Sequence, residues 1–103
     1  MEPDIVIYTA GREPSEVPAA DALLIIEISD SSLAYDAGRK AQVYAGLGVR
    51  EYWVIDVTTL TTHVHRKPES GRYKRRSKVV PANLLKPLLL PHLTLRLADL
   101  KFE

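Results

Sequence analysis

Cysteine is absent from this chain of 103 residues. That removes disulfide frameworks, thiolate metal sites and cysteine nucleophiles together. It also fits a reducing compartment, so a cytoplasmic location is expected. Long apolar runs are missing too: neither the stretch around Leu88–Leu90 nor Ala22–Ile26 approaches the roughly 20 residues a membrane-crossing helix needs. The opening MEPDIVIYTA is acidic and short in apolar residues, so it does not read as a secretory signal. No glycine-rich loop opens a helix, since Gly46-Leu47-Gly48 closes one instead. Ser29, Ser31 and Ser32 have no histidine nearby in sequence, which makes a serine hydrolase a poor fit. No repeat period, linker or low-complexity segment recurs along the chain.

What is present is ordinary for a globular domain: 46% hydrophobic and 26% charged residues. At this size roughly 60–70% of the unfolded surface is buried on folding, enough for one core, so residues 1–103 are expected to form a single domain. The net charge of +1 hides a partition. Residues 1–56 hold ten acids against four bases, and residues 57–103 hold three acids against ten bases. Such asymmetry points either to a polyanionic partner or to two halves that neutralise each other across a folded surface.

Pro3 to Tyr8 is a β-branched run opened by a proline, and predicts a strand. Thr9 to Ala20, with Gly11, Pro14 and Pro18, predicts a loop. Ala22 to Ser29 predicts a second strand buried on both faces, interrupted only by Glu27. Asp30, Ser31 and Ser32 supply N-cap candidates for a helix from about Leu33 to Leu47. Its Ala34, Ala37, Ala41 and Ala45 form a narrow face that lets it sit close to a sheet. Glu51 to Val57 predicts a third strand. Thr61–Lys67 and Arg72–Val80 predict a hairpin around a Pro68–Gly71 turn. Beyond Pro81 the pattern suggests a helical turn before Leu90 and a last strand through Leu93, Leu95 and Leu97. The order predicts an α/β mixed sheet with one main crossover helix.

Glu27 is the residue with most to explain, because an ionised carboxylate in an apolar strand is costly without a partner. Asp4 opens the other apolar strand, and antiparallel pairing would bring the two carboxylates face to face. Two such groups repel unless a cation lies between them. A hard divalent ion is the economical solution, as Mg²⁺ is held by one or two carboxylates plus substrate phosphate. Asp36, Lys40 and Tyr44 lie four apart on one helix face. The pair is either an ordinary helix-stabilising contact, worth about 0.2–0.5 kcal/mol, or a lysine aimed at Glu27 to neutralise charge on a phosphate. His63 and His65 share a strand face without an evident third ligand, and read as a solvated face. Arg72, Lys74, Arg75, Arg76 and Lys78 form a basic ribbon that either contacts phosphate or guards a sheet edge.

Pro3-Asp4, the strand LIIEIS and the stretch SLAYDAGRKAQVYAGLGVREYWVID resemble the Uma-type putative restriction endonucleases of the PD-(D/E)XK nuclease superfamily. The matching positions are Asp4, Glu27, Asp36, Lys40, Tyr44, Gly48-Val49, Glu51-Tyr52-Trp53 and Asp56. The resemblance implies a restriction-endonuclease-like fold and Mg²⁺-dependent hydrolysis of DNA phosphodiesters, with Mn²⁺ as an alternative ion. Asp4 and Glu27 would be metal ligands, and with Lys40 the catalytic set, while Asp36 and Tyr44 would support it. Ser29 stands where the superfamily usually places its lysine, so Lys40 would be a migrated lysine reaching in from the helix. Relatives carry a further segment before the Pro-Asp strand, so a shortened domain with an open sheet edge is expected. That edge would suit a homodimer. The alternative is a catalytically inactive, dimeric nucleic-acid-binding or interaction module built on the same fold.

Overall fold

The computed structural model describes residues 3–9, 11 and 17–100. Five strands form one sheet: β1 (Ile5–Ile7), β2 (Leu24–Ser29), β3 (Glu51–Asp56), β4 (Thr61–Glu69) and β5 (Arg72–Val79). They lie side by side in chain order. Only β2 and β3 run parallel, and the other neighbours are antiparallel. A parallel pair needs a crossover, supplied here by two helical segments, α1 (Leu33–Ala37) and α2 (Arg39–Gly46). The fold is therefore the α/β mixed sheet with one main helix that the sequence predicts.

The helix is not continuous. It breaks at Gly38, where a Cβ would sit 2.6 Å from the carbonyl oxygen of Ala34. A side chain cannot occupy that space, so the sharp approach of two backbones requires glycine. Four residues later the chain is regular again, with Gln42 donating to the Gly38 carbonyl. The β4–β5 hairpin turns through Ser70 and Gly71, both with positive φ (54° and 76°), as a tight two-residue connection demands.

The strand alternation sorts two cores onto the two faces of the sheet. On the helix face Ile25, Tyr52, Val54 and Tyr73 pack against Ala41, Tyr44 and Ala45. On the reverse face Leu24, Ile26, Trp53 and Val64 pack against Leu85 and Leu97. That second layer is the chain after Pro81, which forms neither the helical turn nor the last strand expected of it. It makes turns, a short 3₁₀ segment at Leu97–Asp99 and one isolated bridge, Leu85 with Leu95. Of its alternating leucines, Leu97 is buried in the reverse core, Leu95 pairs only with Leu85, and Leu93 is exposed. The expected Thr9–Ala20 loop runs into a 3₁₀ turn, Ala19–Asp21, that ends one residue beyond its predicted end, while residue 10 and residues 12–16 lie outside the described residues. No helix among the described residues is long and apolar enough to cross a membrane.

Candidate active site

The β1–β2 register, Ile5 opposite Ile26, puts Asp4 beside Glu27. Two hydrogen bonds fix them there. The Asp4 N–H donates to Glu27 Oε1 at 2.8 Å, and the Ile28 N–H donates to Asp4 Oδ2 at 2.7 Å. Glu27 is 1% exposed, whereas Asp4 is open to solvent. The second oxygen of Glu27 accepts from Lys40 Nζ. Lys40 thus leans from α2 over the sheet, and it also lies 3.5 Å from Asp36 Oδ1. Asp36 is held in turn by the Ser32 hydroxyl at 2.8 Å, with Ser29 Oγ 3.5 Å beyond.

Two carboxylates, Glu27 and Asp36, therefore flank one ammonium, with Asp4 beside Glu27. The hydrogen bond from Lys40 to Glu27 raises the lysine above its ordinary range, and the charges of Glu27 and Asp36 add to this. Lys40 is cationic throughout the neutral range. Tyr44 stands one helical turn further on, its buried hydroxyl without a hydrogen-bond partner among the described residues. Burial, and then the negative charge of Glu27, push it up to about 12. It is a neutral hydroxyl within the field of Glu27, Asp4 and Asp36. Asp4, Glu27, Lys40, Asp36 and Tyr44, separate in sequence, are all brought into this one neighbourhood.

The donor set suits one class of ion. Mg²⁺ retains waters and substrate oxygens and asks the protein for only one or two carboxylates. Asp4 and Glu27 provide two. Among the described residues no group of three or more histidine, aspartate or glutamate side chains converges, so a closed structural site of the zinc type does not fit.

The basic ribbon is not next to this cluster. Glu27, Val54, His63 and Lys78 form one row across the sheet. At roughly 4.8 Å per strand, β5 lies about 14 Å from β2. The ribbon also divides. Arg72 and Arg76 border a hollow beside α2, and Arg76 and Lys78 border another beside α1. Lys74 and Arg75, again with Arg76, line a separate groove with Leu88 and Leu89 of the reverse layer. The histidines are likewise not a common solvated face. His65 is buried between Tyr52 and Tyr73, with ring centroids 5.3 and 5.6 Å away, and its Nδ1 lies 3.1 Å from the Tyr52 carbonyl. His63 is half-buried opposite Lys78. Burial first, and then the Lys78 charge, hold it below the usual histidine range.

In the sequence Glu51 stands only as a position matching the family, without a role. It opens β3, is fully buried, and accepts from Trp53 Nε1 at 2.9 Å, Arg66 Nε at 2.7 Å and the Leu88 N–H at 2.8 Å. A signal was present: Glu51 and Trp53 are two apart on a strand and so share a face.

A mixed sheet whose parallel pair is bridged by a helix, with an acid at the start of β1 beside an acid of β2 and a lysine reaching the latter, defines an α/β fold of restriction-endonuclease type. Its family follows from the whole chain. A family model described as putative restriction endonuclease, Uma2, matches residues 1–98, and the chain belongs to that family. Among curated proteins none matches it.

Proposed function

We propose that this protein is a divalent-metal-dependent endonuclease that hydrolyses DNA phosphodiester bonds. The observation that carries the reading is Lys40 bonded to Glu27 beside Asp4. Asp4 and Glu27 would hold Mg²⁺ or Mn²⁺, which when bound supplies a more acidic water and neutralises phosphate charge. Lys40, fixed between Glu27 and Asp36, presents a permanent cation to the charge that develops on phosphate in the transition state. Asp36 and Ser32 set the position of that ammonium. Tyr44 adds a neutral hydroxyl. Arg72, Arg76 and Lys78 would take DNA phosphates across the sheet from the cluster, giving salt-dependent, sequence-tolerant affinity.

The short edge strand β1, with Ile5 and Val6 41% and 37% exposed, supports pairing with a second copy, since open edges invite strand addition. A cytoplasmic location accords with the lack of cysteine.

Supercoiled plasmid incubated with the protein and Mg²⁺ or Mn²⁺ tests the reading. Cleavage by the parent, lost in Glu27→Ala and Lys40→Ala, is the expected result. No cleavage, or equal cleavage by all three, refutes it. DNA binding that persists without cleavage would support the inactive binding module instead.

A further inference from the structure

On the reverse face of the sheet, away from Glu27, lies a groove of about 830 Å³. Arg50, Arg66, Lys67, Lys74, Arg75 and Arg76 line it, and among the described residues no carboxylate does. We infer that this groove is a second nucleic-acid site, one that grips a phosphodiester backbone on the side of the sheet opposite the Glu27 cluster.

Three observations support it. First, the charge there is uncompensated. Arg66 is neutralised by Glu51 and Arg50 donates to the Asp21 carbonyl, but no ion pair to a carboxylate holds Lys67, Lys74, Arg75 or Arg76 among the described residues. Arg75 stands directly opposite Arg66 in the β4–β5 ladder, an arrangement of like charges that is unfavourable by itself. Cations crowded along a concave wall are stabilised by a polyanion and by little else.

Second, the walls are fixed before any ligand arrives. Arg66 donates at once to Glu51 and to the Lys86 carbonyl, at 2.7 and 2.6 Å, and the Leu88 N–H donates to the same carboxylate. The hairpin and the reverse layer are thereby clamped together, so binding need not order them. Third, the chemistry suits a sugar-phosphate strand. The cations run along β5 and across to Arg50, while Leu88 and Leu89 give an apolar wall without an aromatic platform or base-reading amides. Such a surface follows phosphates and ignores sequence. Arg76 borders this groove and both hollows of the helix face, so a bound strand would turn around the β5 edge.

The test uses the full chain carrying Glu27→Ala, without divalent metal, so that it reads binding whether or not the parent cleaves DNA. Anisotropy of a labelled 20-base-pair duplex is followed through a salt series. Lys74→Glu with Arg75→Glu is expected to weaken binding at least tenfold and to lower the log–log salt slope by about two, since each duplex phosphate contact adds about 0.9. The milder Lys74→Gln with Arg75→Gln, checked by circular dichroism, should move both in the same direction. Arg39→Glu with Arg96→Glu makes the same charge change outside the groove and should cost less than threefold. An unchanged slope in the groove variants, or an equal loss in the control, overturns the site. Tripolyphosphate at micromolar concentration displacing the duplex from the parent groove, but not from the groove variants, would assign it to small polyphosphates and overturn the nucleic-acid reading.

Discussion

Two glutamates sit inside the same sheet, both almost wholly buried, on opposite faces and with opposite surroundings. Glu51 is saturated: an arginine, an indole N–H and a backbone N–H fill it, and all three belong to fixed parts of the fold. Glu27 is held by one backbone N–H from an exposed residue and by a lysine on a flexible stem. Arginine keeps its charge at any ordinary pH and matches a carboxylate in shape, whereas lysine is a mobile point charge. The difference separates a buried charge that ties layers together from one whose partners are an exposed backbone group and a lysine stem. Burial alone does not mark a functional carboxylate; the exchangeability of its partners does.

That contrast is open to attack from both sides. The largest effect should come from Glu51→Ala, which leaves Arg66, Trp53 and the Leu88 N–H without their acceptor. Breaking a buried pair in this way should remove about 3 kcal/mol of unfolding free energy in urea titrations. A loss below 1 kcal/mol would mean that Glu51 is no clamp. Next, Lys40→Ala should lower cleavage at saturating DNA about a hundredfold, the scale of a single transition-state charge contact. Its urea midpoint should move far less than that of Glu51→Ala, and an equal move would erase the distinction.

Smaller effects sharpen the picture of the helix face. His65 is held below the usual histidine range chiefly by burial. Above pH 6.5 the ring is neutral in both folded and unfolded chains, and its contribution to stability is fully present. As the pH falls below 6.5, the unfolded chain takes up a proton that the folded one resists, so stability declines. Melting temperatures at pH 7.5, 6.0 and 5.0 should show this fall, and His65→Gln should flatten it. Least of all, Tyr44→Phe deletes a buried hydroxyl that has no partner among the described residues. Stability should stay within about 0.5 kcal/mol or rise slightly, since no hydrogen bond is lost.

Much of this was legible in the residues. β-branched runs and a turn at Pro68–Gly71 marked the strands closely, although the turn itself is only Ser70 and Gly71, and a carboxylate in each of the first two predicted strands pointed to the pair that the register brings together. The break at Gly38 was hidden because the collision that demands it, with the Ala34 carbonyl, exists only once the chain is coiled. Leu93, Leu95 and Leu97 alternate like a strand, yet Leu95 and Leu97 lie against the reverse face of the sheet, where they cover its apolar side chains. Glu51 disappeared into an aromatic run. The distance of the basic ribbon from Glu27 depends on strand order, which no local pattern carries.

Gly38 has a consequence for how variants of this protein would be interpreted. It contributes no proton, charge or ligand, yet any side chain there meets backbone at 2.6 Å and must push apart the two segments that carry Asp36 and Lys40. A screen that scored cleavage alone would rank Gly38 with the chemically active positions. Loss of function there would report the aim of the lysine, not its chemistry, and the two become separable only when folding and cleavage are measured on the same variant.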